Sequence, residues 1–222
     1  MLSLDSHYKP LYVYAETRTR HSDITYIQYG KRIFDILFAL LVIVFVLSWL
    51  FPIVGLIIKI TSKGPILYIQ KRTGYRGTWF YCLKFRTMTH EPNAAFKQAT
   101  KNDKRITSIG RFLRKTNLDE MPQFLNVLVG EMSIVGPRPH AVQHDMLFWN
   151  SMPDYRKRYR IKPGITGLAQ VRGCRGETDN TLKMSHRVKL DRFYQKKQTL
   201  GLDLKICVWT IKSMIKGDDR AH

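Results

Sequence analysis

The stretch "TNLDEMPQ", Thr116 to Gln123, sets two carboxylates side by side, Asp119 and Glu120, directly after a run of cations. In "ITSIGRFLRKTNLDE", Ile109, Phe112 and Leu113 share one helical face while Arg111, Arg114 and Lys115 gather beside the acids. Carboxylates so surrounded are ionised. An Asp with a lowered pKa suits a nucleophile or a metal ligand better than a proton donor. A purely structural reading is also open. Asn117 and Glu120 have the spacing of a capping pair, acids favour the first turn of a helix, and Pro122 is tolerated there. Met121, Phe124, Leu125 and Leu128 then follow at helical spacing, so the local pattern predicts a helix beginning at the acid pair.

Other cations bear on the choice. A solvated basic face would account for Arg111 and Arg114. "MSIVGPRPH", Met132 to His140, is harder to dismiss: a strand-like stretch runs into Gly136 and two prolines flanking Arg138. A turn that stiff suits holding one planar guanidinium against a phosphate. "ILYIQ" and "WFYCLKF", joined by "RTGYRG", predict a β-hairpin that presents Lys84 and Arg86 of "KFRTM" at its far end. "KPGITGLAQVRGCRGET", Lys162 to Thr178, is a second Gly-rich basic loop, without the residue order of a nucleotide P-loop or a dinucleotide fingerprint. The seven histidines are dispersed, with no pairing at metal spacing expected. Cys82, Cys174 and Cys207 are scattered and odd in number, which predicts a reducing compartment and no disulfide framework.

The elements that must hold these groups begin with an apolar run, "IFDILFALLVIVFVLSWLFPIVGLII", Ile33 to Ile58. It exceeds the roughly 20 residues that cross a bilayer as a helix. Crossing is nevertheless disfavoured. Lys31 and Arg32 precede the run while Lys59, Lys63, Lys71 and Arg72 follow it, so positive charge asks for both ends on one side. Pro52 removes an N–H and frees the carbonyl of Ser48, whose own hydroxyl or a tightened turn could compensate. These facts predict a re-entrant helix bent between Ser48 and Pro52, with Asp35 near the headgroups and paired to Arg32 or Lys31. Residues 1–30 read as a polar, aromatic arm without a secretory signal, and residues 90–104 as a polar surface excursion. "MLFWNSMPDYRKRYRI" and "LDLKICVWTIKSMI" mix large apolar side chains with cations, as helices lying at a membrane interface do. With 37 Lys and Arg against 17 Asp and Glu, the net charge of +20 asks for anionic partners.

Taken in order, "KRIFD", the Pro-interrupted apolar run, "SKGP", "KFRTM", "GRFLRKTNLDEMPQ", "GEMSIVGPRP" and "KPGITGLAQVRG" resemble the bacterial sugar transferase family, the monotopic polyprenyl-phosphate phosphoglycosyl transferases. The resemblance runs from about Lys31 to near the C-terminus; larger relatives carry membrane spans ahead of this region. It implies transfer of a sugar-1-phosphate, of hexose type, from a UDP-sugar to polyprenyl (undecaprenyl) phosphate with release of UMP, as an early step of surface-glycan assembly. It also implies Mg²⁺, attack by Asp119 and metal binding by Glu120. Arg114 and Arg138 would hold phosphates, with Lys84, Arg86 and Arg111 as further contacts. One departure is that Phe51, not a serine, precedes the bending Pro52.

The expected architecture is α+β: a mostly helical membrane-associated domain with a small β-hairpin and a Pro-bent membrane helix. Its parts are an arm (1–30), the re-entrant helix (31–60) and a catalytic domain with interfacial helices (61–222). The expected partners are a UDP-sugar, polyprenyl phosphate and the lipid bilayer, not nucleic acid, at the cytoplasmic face of a bacterial inner membrane. A homodimer stays open. The rival reading is a non-enzymatic, membrane-tethered basic protein that binds nucleic acid or scaffolds glycan assembly.

Overall fold

The computed structural model describes residues 26–91, 100, 103–174, 176 and 181–216. The arm up to residue 25 and most of the 90–104 excursion lie outside the described residues. The arm's last residues, Tyr26–Gly30, form a wide helical turn leading directly into the apolar helix α1 (Lys31–Thr61). The rest of the fold is α+β. A hairpin of β1 (Leu67–Thr73) and β2 (Trp79–Phe85) is followed by α2 (Ser108–Lys115) and α3 (Gln123–Val129). β3 (Ser133–Val135) and β4 (Gly164–Thr166) form a short parallel pair, so the Gly-rich loop read at 162–178 includes a strand. Between them lie α4 (Val142–Trp149) and a 3₁₀ segment, Tyr155–Arg160; α5 (Leu168–Val171), α6 (Thr181–Lys196) and α7 (Leu200–Lys216) follow among the described residues.

α1 is apolar around its whole circumference, and two different surroundings use it. Ala39 and Val42 pack with Phe124, Val127, Met132 and Ile206, while Leu47, Leu50, Val54 and Ile58 pack with Phe85 and Leu113. The domain therefore lines one side of the helix over both halves. On the other side Ile33, Leu37, Leu41, Phe45, Trp49, Ile53, Leu56 and Ile60 form an exposed stripe at intervals of three or four residues. A continuous apolar stripe of that length marks a contact surface rather than ordinary exposure.

Both ends of α1 are fastened to the same domain. Arg32 donates to Val127 O (2.7 Å) and Leu128 O (2.8 Å), the open carbonyls at the end of α3. Lys31 reaches Asp203 of α7 (2.7 Å). The expected pairing of Asp35 with Arg32 or Lys31 near headgroups is corrected. Asp35 is buried and accepts from Ser133 Oγ and Ile134 N–H, both at 2.9 Å, because the edge of β3 offers it two fixed donors. At the other end Arg86 donates to Lys63 O (2.6 Å) and Ser62 O (2.9 Å) just past the helix terminus. Gly64, at φ +120°, leaves the space that guanidinium fills; a Cβ there would collide with Arg86 Nη1.

Around Pro52 the chain stays helical. Its backbone widens into a π turn at Ile43–Leu47 rather than tightening. Ser48 Oγ donates to Val44 O (2.6 Å), and Trp49 Nε1 to Phe45 O (2.8 Å). The serine thus serves a carbonyl of the widened turn, one turn before the one that Pro52 frees. A π turn and a proline are two recognised causes of helix bending, and here they are adjacent.

Candidate active site

Asp119 and Glu120 lie on the link between two helices. Asn117 follows the end of α2 in left-handed backbone, φ 56°, a conformation that Asn accepts more readily than most residues. One 3₁₀ turn, Leu118–Glu120, comes next, closed by Glu120 N–H to Asn117 O and Met121 N–H to Leu118 O, each 3.2 Å. α3 starts only at Gln123, with Pro122 as its N-cap. The capping pair expected of Asn117 and Glu120 does not form. Asn117 turns the chain, and its side chain caps nothing. Glu120 is drawn instead to charged partners that a local pattern does not reveal.

Those partners come from two other elements. Arg138 holds Glu120 with both arms of its fork, Nη1 to Oε2 at 3.1 Å and Nη2 to Oε1 at 2.6 Å. Lys84 Nζ lies 2.5 Å from Oε1 of the same carboxylate. Strand periodicity sends Lys84 inward, since it shares a face of β2 with the buried Phe80 and Cys82. Asp119 differs from its neighbour. It is 8% exposed, lies 3.7 Å from Lys84 Nζ, and accepts no side-chain hydrogen bond among the described residues.

The two acids accordingly diverge in the direction of their pKa shifts. Burial pushes Glu120 up, but Arg138 and Lys84 outweigh it and hold the carboxyl well below the usual range. For Asp119 burial dominates; Lys84 pulls down, the Glu120 charge pushes up, and the net direction is upward. This corrects the lowered pKa expected from neighbouring arginines, which did not count desolvation or the second carboxylate.

Arg114 donates through Nε to Thr87 Oγ1 (2.8 Å), and its Nη groups make no hydrogen bond among the described residues. Burial lowers its pKa while the charge of Asp119 raises it. Arg111 is exposed on α2. Arg86 is engaged at the end of α1, as described above. The fold therefore gathers Lys84, Arg114, Asp119, Glu120 and Arg138, and directs Arg86 and Arg111 to other surroundings.

Residues behind Arg138 escaped the sequence reading. Four consecutive carbonyls of its turn are each met by a donor: Pro137 O by Gly164 N–H (2.9 Å), Arg138 O by Arg158 Nη2 (2.9 Å), Pro139 O by Arg72 Nη1 (2.7 Å) and His140 O by Thr73 N–H (3.3 Å). Arg158, with its side chain fully buried, also pairs with Asp191 (2.9 Å). This overturns the interfacial-helix reading of "DYRKRYRI": Tyr155, Arg158 and Tyr159 point into the domain, because Asp145 and Asp191 receive their polar ends.

The expectation that no histidines pair at metal spacing is corrected too. His140 and His144, one helical turn apart, meet Asp145 with ligand atoms within 4.8 Å of one another. The surroundings oppose a cation there. His140 faces Arg158 Nη1 through Nδ1 (2.8 Å) and Arg187 Nη1 through Nε2 (3.1 Å). Burial and those arginines hold its pKa well below the usual histidine value. The spacing of four was the legible signal, and the arginines give it another use.

Comparison with known proteins places the chain in a family. The family model described as bacterial sugar transferase matches residues 26–217. A UDP-glucose:undecaprenyl-phosphate glucose-1-phosphate transferase of Klebsiella pneumoniae is 46% identical over 182 residues, covering 82% of this chain and 39% of the relative. A protein of the same name from Caulobacter vibrioides is 43% identical over 190 residues, 85% of this chain and 71% of the relative. An exopolysaccharide production protein of Rhizobium leguminosarum bv. phaseoli is 43% identical over 188 residues, 82% and 94% of the two chains. The chain thus spans about two fifths of the Klebsiella relative and nearly all of the Rhizobium one. The match takes in every element that builds the carboxylate turn and its arginines, from the start of α1 to the end of α7, and on that ground the chain belongs to the bacterial sugar transferase family.

Proposed function

We propose that this chain transfers glucose-1-phosphate from UDP-glucose to undecaprenyl phosphate at a bacterial inner membrane, releasing UMP. The observation that carries the chemistry is the asymmetry of the acid pair. Glu120 is held on both oxygens, whereas Asp119 is buried beside Lys84 with its acceptor capacity unused. A nucleophile must have that freedom. An Asp119 oxygen attacks the phosphorus that carries the sugar, the P–O bond to the UMP leaving group breaks, and the sugar-phosphate remains on Asp119 as an acyl phosphate. An oxygen of undecaprenyl phosphate then attacks the same phosphorus, forming the lipid diphosphate and freeing Asp119. Arg138 and the unengaged Nη groups of Arg114 are suited to the charge on the phosphate oxygens.

The donor set here is hard carboxylate oxygen, which fits Mg²⁺ shared with a diphosphate. Glu120, with Asp119 beside it, would hold the ion once Lys84 and Arg138 give up their shares of that carboxylate. When bound, Mg²⁺ supplies positive charge against the diphosphate.

Placement at the membrane follows from α1. Its exposed stripe needs an apolar environment, while Lys31 and Arg32 at one end and Arg86 at the other fasten both termini to a single domain. A helix that dips into the bilayer and returns to the cytoplasmic face meets both conditions. α7 presents Leu200, Leu204, Val208 and Ile211 along one exposed line, with Lys205 and Lys212 also exposed, as an interfacial helix does.

The test supplies UDP-glucose and undecaprenyl phosphate in detergent or nanodiscs and follows UMP. Release beyond one equivalent that depends on both substrates and is lost on chelation supports the reading. No UMP with any UDP-sugar in a panel refutes it. Cysteines placed at Tyr29 and Lys63 should both react only with reagent added from the cytoplasmic side; labelling from opposite sides would refute the re-entrant helix.

A further inference from the structure

Arg138 acts through its side chain, yet the four carbonyls around it are fixed from outside, and one donor among these differs from the rest. Gly164, Arg72 and Thr73 each supply a single hydrogen bond to the turn from a strand or its edge. Arg158 supplies one from the interior and has every nitrogen engaged. Nη2 meets Arg138 O (2.9 Å), Nε meets Asp191 Oδ2 (3.0 Å), and Nη1 meets His140 Nδ1 (2.8 Å). At its other nitrogen His140 faces Arg187 Nη1 (3.1 Å). The Tyr155 hydroxyl lies 2.7 Å from Nδ1 and donates to Asp145 at 2.5 Å. A neutral imidazole accepts at one nitrogen only, so one of the two arginines lies beside the ring without a hydrogen bond to it. The partners of Arg158 thus come from the turn itself and from α6, elements far apart in the chain.

A buried ion pair with Asp191 would satisfy both charges without any contact to the turn. Such pairs add little net stability over apolar packing. The additional contacts, to the carbonyl of Arg138 and the ring of His140, have a different consequence. They fix the peptide that carries Arg138 relative to α6, with two prolines preventing the adjacent backbone from adjusting. A guanidinium on a peptide so held presents its fork in one orientation to Glu120 and to whatever phosphate approaches.

We infer that Arg158, anchored by Asp191 and His140, is a positioning residue that sets the orientation of Arg138 for phosphoryl transfer. The inference rests on the transfer reaction proposed above. It assigns Arg158 no contact with substrate.

The planar fork is what the role requires, and lysine retains the charge without it. Arg158→Lys should lower kcat roughly 10- to 100-fold, the scale on which misplacement of a group by about an ångström is felt, with KM for the UDP-sugar changed less than about threefold. The decisive measurement is a double-mutant cycle with Arg138→Ala, whose residual turnover is followed with radiolabelled UDP-sugar. With the guanidinium gone nothing remains to be oriented, so Arg158→Lys should then have less than about a twofold effect. A full loss on the Arg138→Ala background, or a wild-type kcat for Arg158→Lys, overturns the inference. Asp191→Asn, nearly isosteric, takes the same place in the cycle if Arg158→Lys does not fold. Absence of turnover in the wild-type arm would instead count against the transfer reaction itself.

Discussion

The buried charges at the foot of α1 and those at the acid turn are built to opposite rules. At the foot, Asp203 is fully buried and accepts from Lys31 (2.7 Å), Tyr26 (2.7 Å) and Tyr194 (2.6 Å), and Asp35 accepts from Ser133 and Ile134. Every donor there is turned inward and each carboxylate has company. At the acid turn one carboxylate is similarly held and the other, Asp119, has only Lys84 at 3.7 Å. An acid buried without hydrogen bonds is costly to the fold. Saturation marks a fastening, and its absence beside a saturated twin leaves Asp119 open to the attack proposed above.

The largest effect expected from this contrast is at Asp119. Asp119→Asn should lower transfer by at least about a thousand-fold, the scale reported for removal of covalent nucleophiles, while the protein remains folded. Given UDP-sugar without lipid, the wild-type enzyme should release UMP in a burst of at most one equivalent and gain sugar-phosphate mass on the peptide containing Asp119. The variant should show neither. Near-normal turnover with both substrates required together would make direct displacement the mechanism.

The foot of α1 should respond in the opposite sense. Asp203→Asn leaves Lys31 buried against a neutral partner, and breaking a buried pair costs about 3–5 kcal/mol of stability. The melting temperature should fall clearly, whereas kcat of the folded fraction should stay within about twofold, since nothing at the foot touches Glu120 or Arg138. A drop in kcat as large as that of Asp119→Asn would erase the distinction between the clusters.

The sequence disclosed these clusters unequally, for physical reasons. Asp119, Glu120, Lys84 and Arg138 were legible because adjacent acids, a lysine at the far end of a hairpin and a proline-flanked arginine are each local patterns. What the acids would do locally was misread. Asn117 and Glu120 have capping-box spacing, and only Arg138, eighteen residues on, diverts the glutamate from that use. Asp35 sat in an apolar run and invited Arg32 or Lys31 beside it as partner, but its donors lie 98 and 99 residues away. Arg158 was one cation among five in "RKRYR" and its neighbours, and no local pattern tells which of them is buried. That is decided by Asp191, 33 residues later. The hairpin and the apolar helix needed only periodicity, and both were foreseen as elements.

The smallest effect, and the one that reaches behind the acid turn, concerns His140. Burial first, then Arg158 and Arg187, depress its pKa well below the usual 6.5, and burial likewise lowers that of His144. The sign follows directly. Below about pH 6.5 the unfolded chain takes up a proton at each of these histidines that the folded protein refuses, so stability falls as pH falls through that region until the folded-state pKa is reached. Each histidine contributes a slope of about 1.4 kcal/mol per pH unit within this window. Glu120 acts in the same direction, but only once pH drops below the ordinary glutamate value of 4.5. Asp119 and Asp191, whose carboxyl pKa burial raises, act in the opposite sense. The histidine share between about pH 6.5 and about 5 is therefore read from the difference in slope of denaturant midpoints between wild type and a His140 variant. His140→Asn keeps an acceptor for Arg158 and cannot be protonated there, so its decline should be shallower by about one histidine's share. An unchanged slope would mean that His140 takes up its proton in the folded state, and that the arginines behind Arg138 are not holding it neutral.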